Sequence, residues 1–242
     1  GFAVYGNGGM NTTYPDDANG GYGVFADGRA GVNLSQLYLA ATYAKKFDEK
    51  YSAGLSLLYA YQMFEANGLS NFSGMVPHSA PYNLTNMGMD YSTGFGVRLG
   101  FQGQVTDKLT VAAAWQPKIK MSRFDKYSDL FPDGGNFDIP ETMGVGVAYK
   151  LTPKSELAFD IKQINYSDVT SVGNPFSNMS NGLGTPNGPG FGWRDMTVYK
   201  LGYQWQADES TAYRLGVSYG RQPIRSSEVL FNILAPGVQE WH

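Results

Sequence analysis

The stretch from Met89 to Gln104 alternates so regularly that it constrains the fold more than any other part of the chain. Bulky apolar side chains occupy most odd-numbered positions, and glycine, small or polar residues occupy the even-numbered ones. Successive side chains of a β-strand point to opposite faces, so the pattern predicts a strand with one apolar and one polar face. The polar face is rich in glycine and carries Arg98 near its middle. Such a face is typical of a barrel wall with lipid outside and a polar lumen inside.

The same alternation recurs in about nine segments between residues 1 and 223, which predicts an all-β antiparallel transmembrane barrel. Charged residues make up 16% of the chain, below the usual quarter, and aromatic residues reach 14%. No apolar run approaches the length of roughly 18 residues that a membrane helix needs. The alternative is a soluble all-β protein with aromatic-rich strands.

Short and long connections alternate along the chain. Polar turns near residues 48, 107, 153 and 208 separate long loops near 8–33, 66–88, 118–140, 168–194 and 224–242. Short turns on one side of the membrane and long extracellular loops on the other are the layout of a bacterial outer-membrane barrel. Residues 1–242 are therefore interpreted as one partial barrel domain, since an odd strand number leaves the barrel incomplete.

Aromatic side chains lie near both ends of the predicted strands, on the apolar face. Two such bands are expected where a barrel wall crosses the two membrane interfaces. The band beside the short turns comprises Tyr43, Tyr51, Phe101, Tyr149, Trp205 and Tyr213, and the band beside the long loops comprises Tyr61, Tyr91, Trp115, Tyr199 and Tyr219.

Four segments resemble the FadL/TodX family of outer-membrane channels for long-chain fatty acids and other hydrophobic compounds. They are Gly1–Tyr14, Phe137–Tyr149, Gly190–Tyr203 and Leu215–Pro236. The resemblance implies a FadL-like barrel of fourteen strands when complete, plugged by an N-terminal hatch. The chain would then lack the hatch with its Asn-Pro-Ala element, the first two strands and about three terminal strands.

The resemblance also implies a route of passive transport across the Gram-negative outer membrane. Hydrophobic ligand is captured by the loops, passes to a pocket inside the barrel and leaves sideways beside a kinked strand. Asn7, Gly8 and Gly9 are then the kink and lateral opening, because glycine supplies backbone freedom. An ordinary Asn-Gly turn ending the strand is the alternative.

Apolar side chains in the long loops are candidate ligand contacts. The predicted contacts in two loops are Leu69, Phe72, Met75 and Met87, and Phe124, Tyr127, Leu130 and Phe131. Phe64 and Leu58 are bulky residues on the small lumen face and are candidates for the internal pocket. Trp193 and Arg194 are further candidates from the family resemblance. The alternative role of the two groups of loop side chains is to pack on each other and cap the barrel, and the alternative for Phe64 and Leu58 is to fill the barrel.

The lumen face carries five charges, namely Arg98, Asp160, Lys162, Lys200 and Arg214. Each is expected to pair with an opposite charge across the barrel or on the hatch, or else one of them meets a carboxylate head group. Fatty-acid-carrying members have basic residues where this chain reads Glu65-Ala66-Asn67 and Gly188-Pro189-Gly190. This departure leaves neutral hydrocarbons or aromatics open as substrates.

Enzyme chemistry is not predicted. The Gly216–Gly220 stretch matches G-x-S-x-G, but it lies within a predicted strand instead of at a strand-to-helix turn. Neither a cofactor nor a metal nor nucleic acid is expected, and the partners are hydrophobic small molecules and outer-membrane lipid around a monomer. The alternatives to transport are a non-transporting surface barrel, such as an adhesin or structural protein, and a general porin.

Overall fold

Antiparallel strands form one continuous sheet in which every strand pairs with its neighbours in sequence. The structure, a computed structural model, describes residues 1–16, 23–237 and 240–241. Ten strands occur within these residues. They are β1 (Phe2–Tyr14), β2 (Ala30–Lys46), β3 (Tyr51–Asn67), β4 (Asp90–Gln104), β5 (Leu109–Gln116), β6 (Thr142–Thr152), β7 (Ser155–Ile164), β8 (Met196–Gln206), β9 (Ala212–Gly220) and β10 (Glu240–Trp241). The sheet is a half-barrel, which confirms the predicted all-β antiparallel architecture.

The alternation in β4 assigns its two faces as predicted. Phe95 and Leu99 are exposed on the outer face, whereas Ser92 and Gly94 are buried on the concave face. Large apolar side chains are exposed along the outer face of the other long strands in the same way. In water this surface would be strongly unfavourable, since apolar area costs about 25 cal/mol per Å² to expose. Surrounding lipid would remove that cost, and the exposed apolar face lies on the side that the alternation predicts to be outward-facing.

Two predicted boundaries were wrong. β1 continues to Tyr14 and β2 begins at Ala30, so the first connection is shorter than the predicted loop near 8–33. Pairing of Thr12 with Val32 carries the ladder through a segment whose Asn and Gly residues suggested a loop. Two residues of the predicted loop near 224–242 form β10, which pairs with Gly220 and Tyr219. Residues 17–22, 238–239 and 242, which belong to these predicted loops, lie outside the described residues.

The long connections contain short helical turns. These span Ser70–Met75, Asp125–Tyr127, Pro132–Gly135, Tyr166–Asp168, Thr170–Gly173, Phe176–Asn181, Ser226–Glu228 and Val229–Asn232. No helix of the described residues has the length and apolar character needed to cross a membrane.

The loops fold inward and fill the concave side of the sheet. In the β5–β6 loop, Ile119 bridges to Ile139, and Met121 bridges to Gly94 of β4. Ile119, Met121 and Ile139 form the lumen cluster together with Tyr38, Ala40, Leu58 and Ala60 of the wall. A larger loop-end cluster combines wall and loop side chains, among them Phe64, Phe72, Phe131, Phe191 and Leu234. The core of the protein is therefore the packed lumen.

Candidate functional site

β1 contains a bulge at Asn7. Gly6 pairs with Leu37 and Gly8 pairs with Gln36, so Asn7 is an extra residue without a partner in the ladder. Its side-chain amide donates a hydrogen bond to Gln36 Oε1 at 3.0 Å. Because pairing resumes at Gly8, the Asn-Gly pair does not end the strand as an ordinary turn would. A bulge locally bends and twists a strand, which is the distortion expected of a kinked wall.

Gly9 lets β2 approach closely beside this bulge. A Cβ at this position would lie 2.5 Å from the carbonyl oxygen of Leu34, which is too close for any side chain. In the sequence Asn7-Gly8-Gly9, Asn7 is therefore the bulged residue, and Gly9 allows the close pairing of β1 with β2 that follows the bulge.

The bulge residues line an internal pocket of about 220 Å³. Asn7, Gly8, Gly9 and Met10 form one side of it. The remaining lining comprises Leu34, Gln36, Gln116, Phe137, Ile139, Pro140, Thr142, Lys162, Ile164, Tyr166, Val172, Phe191 and Trp193. Four aromatic rings thus come from the β5–β6 and β7–β8 loops, while amide, hydroxyl and ammonium groups come mainly from the strands.

Hydrogen bonds and ring contacts hold the aromatic part of the pocket in place. The Trp193 indole Nε1 donates to Asn232 Oδ1 at 2.5 Å. Its ring lies 5.1 Å from the Tyr166 ring in an edge-to-face arrangement. Burial raises the pKa of the Tyr166 phenol. Tyr166 is therefore neutral at physiological pH and adds aromatic surface to the pocket.

An outer cavity of about 40 Å³ lies among the loops. Five of the predicted contacts line it: Phe64, Leu69, Phe72, Leu130 and Phe131. Val32, Pro132, Ser171, Leu183, Pro189, Gly190, Phe191, Phe231 and Leu234 complete the lining, so its surface is almost entirely apolar. Phe191 belongs to this cavity and also to the internal pocket.

The other predicted contacts lie elsewhere. Phe124 and Tyr127 are fully buried and do not line the outer cavity, but both rings pack on Phe64, which does. Met75 and Met87 are exposed to solvent.

Phe64 and Leu58 do not line the internal pocket. Phe64 lines the outer cavity, and Leu58 packs in the lumen cluster. Arg194 is half-buried, and its backbone N–H donates to the Pro223 carbonyl at 3.1 Å. Its side chain lines neither cavity.

The lumen charges surround a third space, a lumen cavity of about 360 Å³ lined by Arg98, Asp160, Lys162 and Lys200 among others. Arg98 has neutral partners: it donates to the Tyr5 hydroxyl at 3.0 Å and to Gln116 Oε1 at 2.7 Å. Arg214 donates to Gln204 Oε1 at 2.8 Å. Neither of the ion pairs found in the described part of the chain involves a lumen charge.

Lys162, Gln116 and Thr142 line both the lumen cavity and the internal pocket. The three spaces therefore follow one another from the loops to the lumen. The outer cavity meets the internal pocket at Phe191, and the internal pocket meets the lumen cavity at these three polar residues.

The sequence did not identify Phe191, Tyr166 and Gln116 as pocket residues. It also did not identify Asn232, which hydrogen-bonds the Trp193 indole and the Phe191 carbonyl. For Phe191 a signal was present, because an aromatic residue between two glycines and two positions before Trp193 is unusual in a solvated loop. For Tyr166 and Asn232 no local signal existed, since they meet the pocket only after distant loops fold together.

A curled antiparallel sheet with an exposed apolar outer surface and loops folded into its lumen is typical of a bacterial outer-membrane β-barrel wall. The family model described as "Outer membrane protein transport protein (OMPP1/FadL/TodX)" matches residues 1–233. The chain therefore belongs to this family of Gram-negative outer-membrane transport channels, as the four sequence segments predicted, and not to an enzyme family. The G-x-S-x-G match lies within β9.

Solved structures share the fold at low sequence identity. A Pseudomonas aeruginosa FadL homologue superimposes with a TM-score of 0.66 at 14% identity, covering 94% of this chain and 57% of that one. The Ralstonia pickettii toluene transporter TbuX gives a TM-score of 0.61 at 17% identity, with coverages of 91% and 65%. The Pseudomonas putida toluene transporter TodX gives 0.58 at 16% identity, with coverages of 91% and 63%.

This chain thus spans about three fifths of the length of these structures. No protein with a curated description matches it by sequence.

Proposed function

We propose that the protein carries small hydrophobic molecules across the outer membrane by capture at the outer cavity, transfer to the internal pocket and lateral exit at the β1 bulge. The observation that carries this proposal is the lining of the internal pocket. Asn7, Gly8 and Gly9 of the bulge face Phe191 and Trp193 of the β7–β8 loop across the same space. A ligand held by those rings lies beside the one interruption in the β1–β2 ladder.

The physical advantage of such a route is that it keeps an apolar molecule out of contact with water. An apolar molecule gains about 25 cal/mol for every Å² that it removes from water, so a water-filled pore offers it nothing. An apolar outer cavity, an aromatic pocket and an exit into lipid keep the molecule out of water throughout.

The cavity volumes favour ligands of one aromatic ring or similar size. A dry protein cavity of about 150 Å³ binds benzene. The internal pocket of about 220 Å³ exceeds that volume, and the outer cavity of about 40 Å³ falls below it. A single ring fits the internal pocket, whereas a long acyl chain would have to extend beyond it. Two of the similar structures are described as toluene transporters, which supports the aromatic class.

The test is uptake of radiolabelled toluene and radiolabelled oleate by cells that express or lack the full-length protein. Toluene uptake is expected to depend on the protein, and oleate uptake is expected to depend on it less. Deletion of Asn7 removes the bulge and is expected to lower toluene uptake several-fold. The matched control is Gly6→Ala, where a Cβ has no protein atom closer than 3.9 Å.

The outcomes separate the parts of the proposal. Uptake of both compounds that is equal with and without the protein overturns transport and leaves a surface barrel. Protein-dependent uptake that survives deletion of Asn7 in a folded barrel overturns the lateral exit. Steady ion conductance of the protein in a planar bilayer would instead indicate a general porin, which the filling of the lumen by Ile119 and Met121 disfavours.

A further inference from the structure

Phe191 is the side chain that separates the outer cavity from the internal pocket. It lines both spaces, whereas Phe131 lines only the outer cavity and Phe137 lines only the internal pocket. The Phe191 side chain is only 8% exposed, so it fills the boundary instead of projecting into water. A molecule that passes from one space to the other has to pass this ring.

The backbone around Phe191 is fixed on both sides. Its N–H donates to the Ser171 carbonyl at 3.2 Å, and its own carbonyl accepts a hydrogen bond from Asn232 Nδ2 at 2.7 Å. The same Asn232 side chain accepts the Trp193 indole N–H at 2.5 Å. A single buried amide therefore positions both aromatic residues, one at the boundary and one in the pocket.

Gly192, between the two aromatic residues, allows the chain to turn at this point. Its φ of +67° lies in the left-handed region that favours glycine, and a Cβ there would overlap the Glu228 carboxylate. Glu228 is buried and accepts the Phe176 backbone N–H at 2.7 Å. The segment from Phe191 to Trp193 is thus held against the helical turns Ser226–Glu228 and Val229–Asn232.

We propose that Phe191 is a specificity-determining residue that limits the width of the molecules passing from the outer cavity to the internal pocket, and that Asn232 is its positioning residue. This inference rests on the proposed transport function and adds the group that selects among its substrates. The outer cavity, at about 40 Å³, holds an aromatic ring only if side chains of its lining move, and Phe191 is the lining residue that it shares with the internal pocket. The backbone of Phe191 is held by hydrogen bonds, so only its side chain can move aside. A small movement of that one ring lets a narrow molecule pass more easily than a wide one.

The test compares two radiolabelled probes, toluene and the wider phenanthrene, in cells that express the full-length protein. Phe191→Ala is expected to raise the ratio of phenanthrene to toluene uptake rates by about tenfold, the lower end of what a close-fitting apolar contact discriminates. The control is Phe95→Ala, which removes a ring of the same size from the exposed outer face of β4, away from both spaces. It is expected to leave the ratio within about twofold of wild type, against that same scale.

Asn232→Ala tests the positioning role. It releases Phe191 and Trp193 together and is expected to shift the ratio in the same direction as Phe191→Ala, by a smaller factor. Tyr127→Phe is the control for simple loosening of the loops, because the two hydrogen bonds that it removes within the loop-end cluster go to Ala66 and Gly88 and not to Phe191. A shift in Asn232→Ala that Tyr127→Phe reproduces overturns the positioning role.

Failure of this inference is distinguishable from failure of the proposed function. Wild-type cells that take up toluene no faster than cells without the protein overturn the function itself. Protein-dependent toluene uptake with an unchanged ratio in Phe191→Ala overturns only the role of Phe191. Should Phe191→Ala fail to assemble, Phe191→Leu keeps an apolar side chain and is expected to raise the ratio by an intermediate factor.

Discussion

Ile119 occupies the space beside Gly96 that any larger residue on β4 would need. A Cβ at Gly96 would lie 2.6 Å from Ile119 Cδ1. The glycine-rich lumen face of β4 therefore has a specific cause, which is close contact with the β5–β6 loop inside the barrel. Gly94 shows the same relationship to Met121, with which it forms a backbone bridge.

Gly96→Val is expected to destabilise the protein by about 1–3 kcal/mol, because overpacking forces Ile119 and its loop to shift. Urea unfolding of the full-length protein in detergent measures this change. The control is Gly100→Ala on the same face of the same strand, where a Cβ meets no atom within 4 Å. Equal effects of the two substitutions would contradict the close contact.

Tyr127→Phe is expected to cost about 1–3 kcal/mol of stability, since it leaves the buried Ala66 N–H without a partner and removes a second hydrogen bond to the half-buried Gly88 carbonyl. The Tyr127 hydroxyl donates to the Gly88 carbonyl at 2.8 Å and accepts the Ala66 N–H at 3.1 Å. Tyr91→Phe, at an exposed position on the outer face, is the control and is expected to change little. Unfolding midpoints of the two variants against wild type provide the measurement, and an unchanged Tyr127→Phe would refute the structural role.

Val97→Arg is expected to impair assembly into lipid by about 2–4 kcal/mol, the cost of a basic side chain on the lipid face near the bilayer midplane. Val97 lies on the outer face, midway between Tyr91 and Phe101 of β4. Gln102→Arg places the same side chain on the opposite face and is the matched control. The folded fraction recovered in vesicles reports the effect, and comparable losses for both variants would mean that the faces are assigned wrongly.

His78 is expected to make stability depend on pH. Its Nε2 lies 2.9 Å from Asp129 Oδ1, and this contact joins the β3–β4 loop to the β5–β6 loop. The hydrogen bond to Asp129, and then that to the Ser79 carbonyl, raise the pKa of His78 above its usual 6.5. A raised folded-state pKa means that the contribution is complete below pH 6.5 and is lost as pH rises through the raised value.

The measurement for His78 is the unfolding midpoint at several pH values from 5 upward. Wild type is expected to lose more stability than His78→Gln as pH rises above 6.5, because glutamine has no proton to release. Asp129→Asn is also expected to lose less than wild type, because it removes the hydrogen bond that contributes most to raising the pKa of His78. Parallel curves for all three proteins would show that the contact has no energetic role.

Much of the fold was predictable because the strands of a barrel wall show alternating apolar and polar residues, which is a local property of the sequence. Phe95 and Leu99 lie on the outer face and Ser92 on the concave face, as predicted, since neighbouring residues of a strand point in opposite directions. The end of β1 was not predictable in the same way. Asn7 and Gly8 are turn-forming residues, and only pairing with β2 shows that they form a bulge within a strand.

The sequence predicted that apolar loop residues form the candidate site, but it did not predict which of them line a common cavity. Leu69, Phe72 and Phe131 line the outer cavity from two different loops, and Tyr127 of the second loop does not line it. Phe64 of β3 lines the outer cavity instead of the internal pocket, because no local pattern determines which loop packs against which part of the wall.

By itself the sequence determined most of the strands, their apolar outer sides and polar lumen-facing sides, and the family, because each depends on residues close together in the chain. Only the tertiary structure decided that Ile119 fills the space beside Gly96, that the β1 bulge shares a pocket with Phe191 and that Asn232 holds Phe191 in place. Phe191 and Asn232 are 41 residues apart, and Asn7 lies farther still from both. Such contacts depend on how long loops pack inside the barrel, where the closeness of side chains is set by volume and hydrogen bonding and not by separation along the chain.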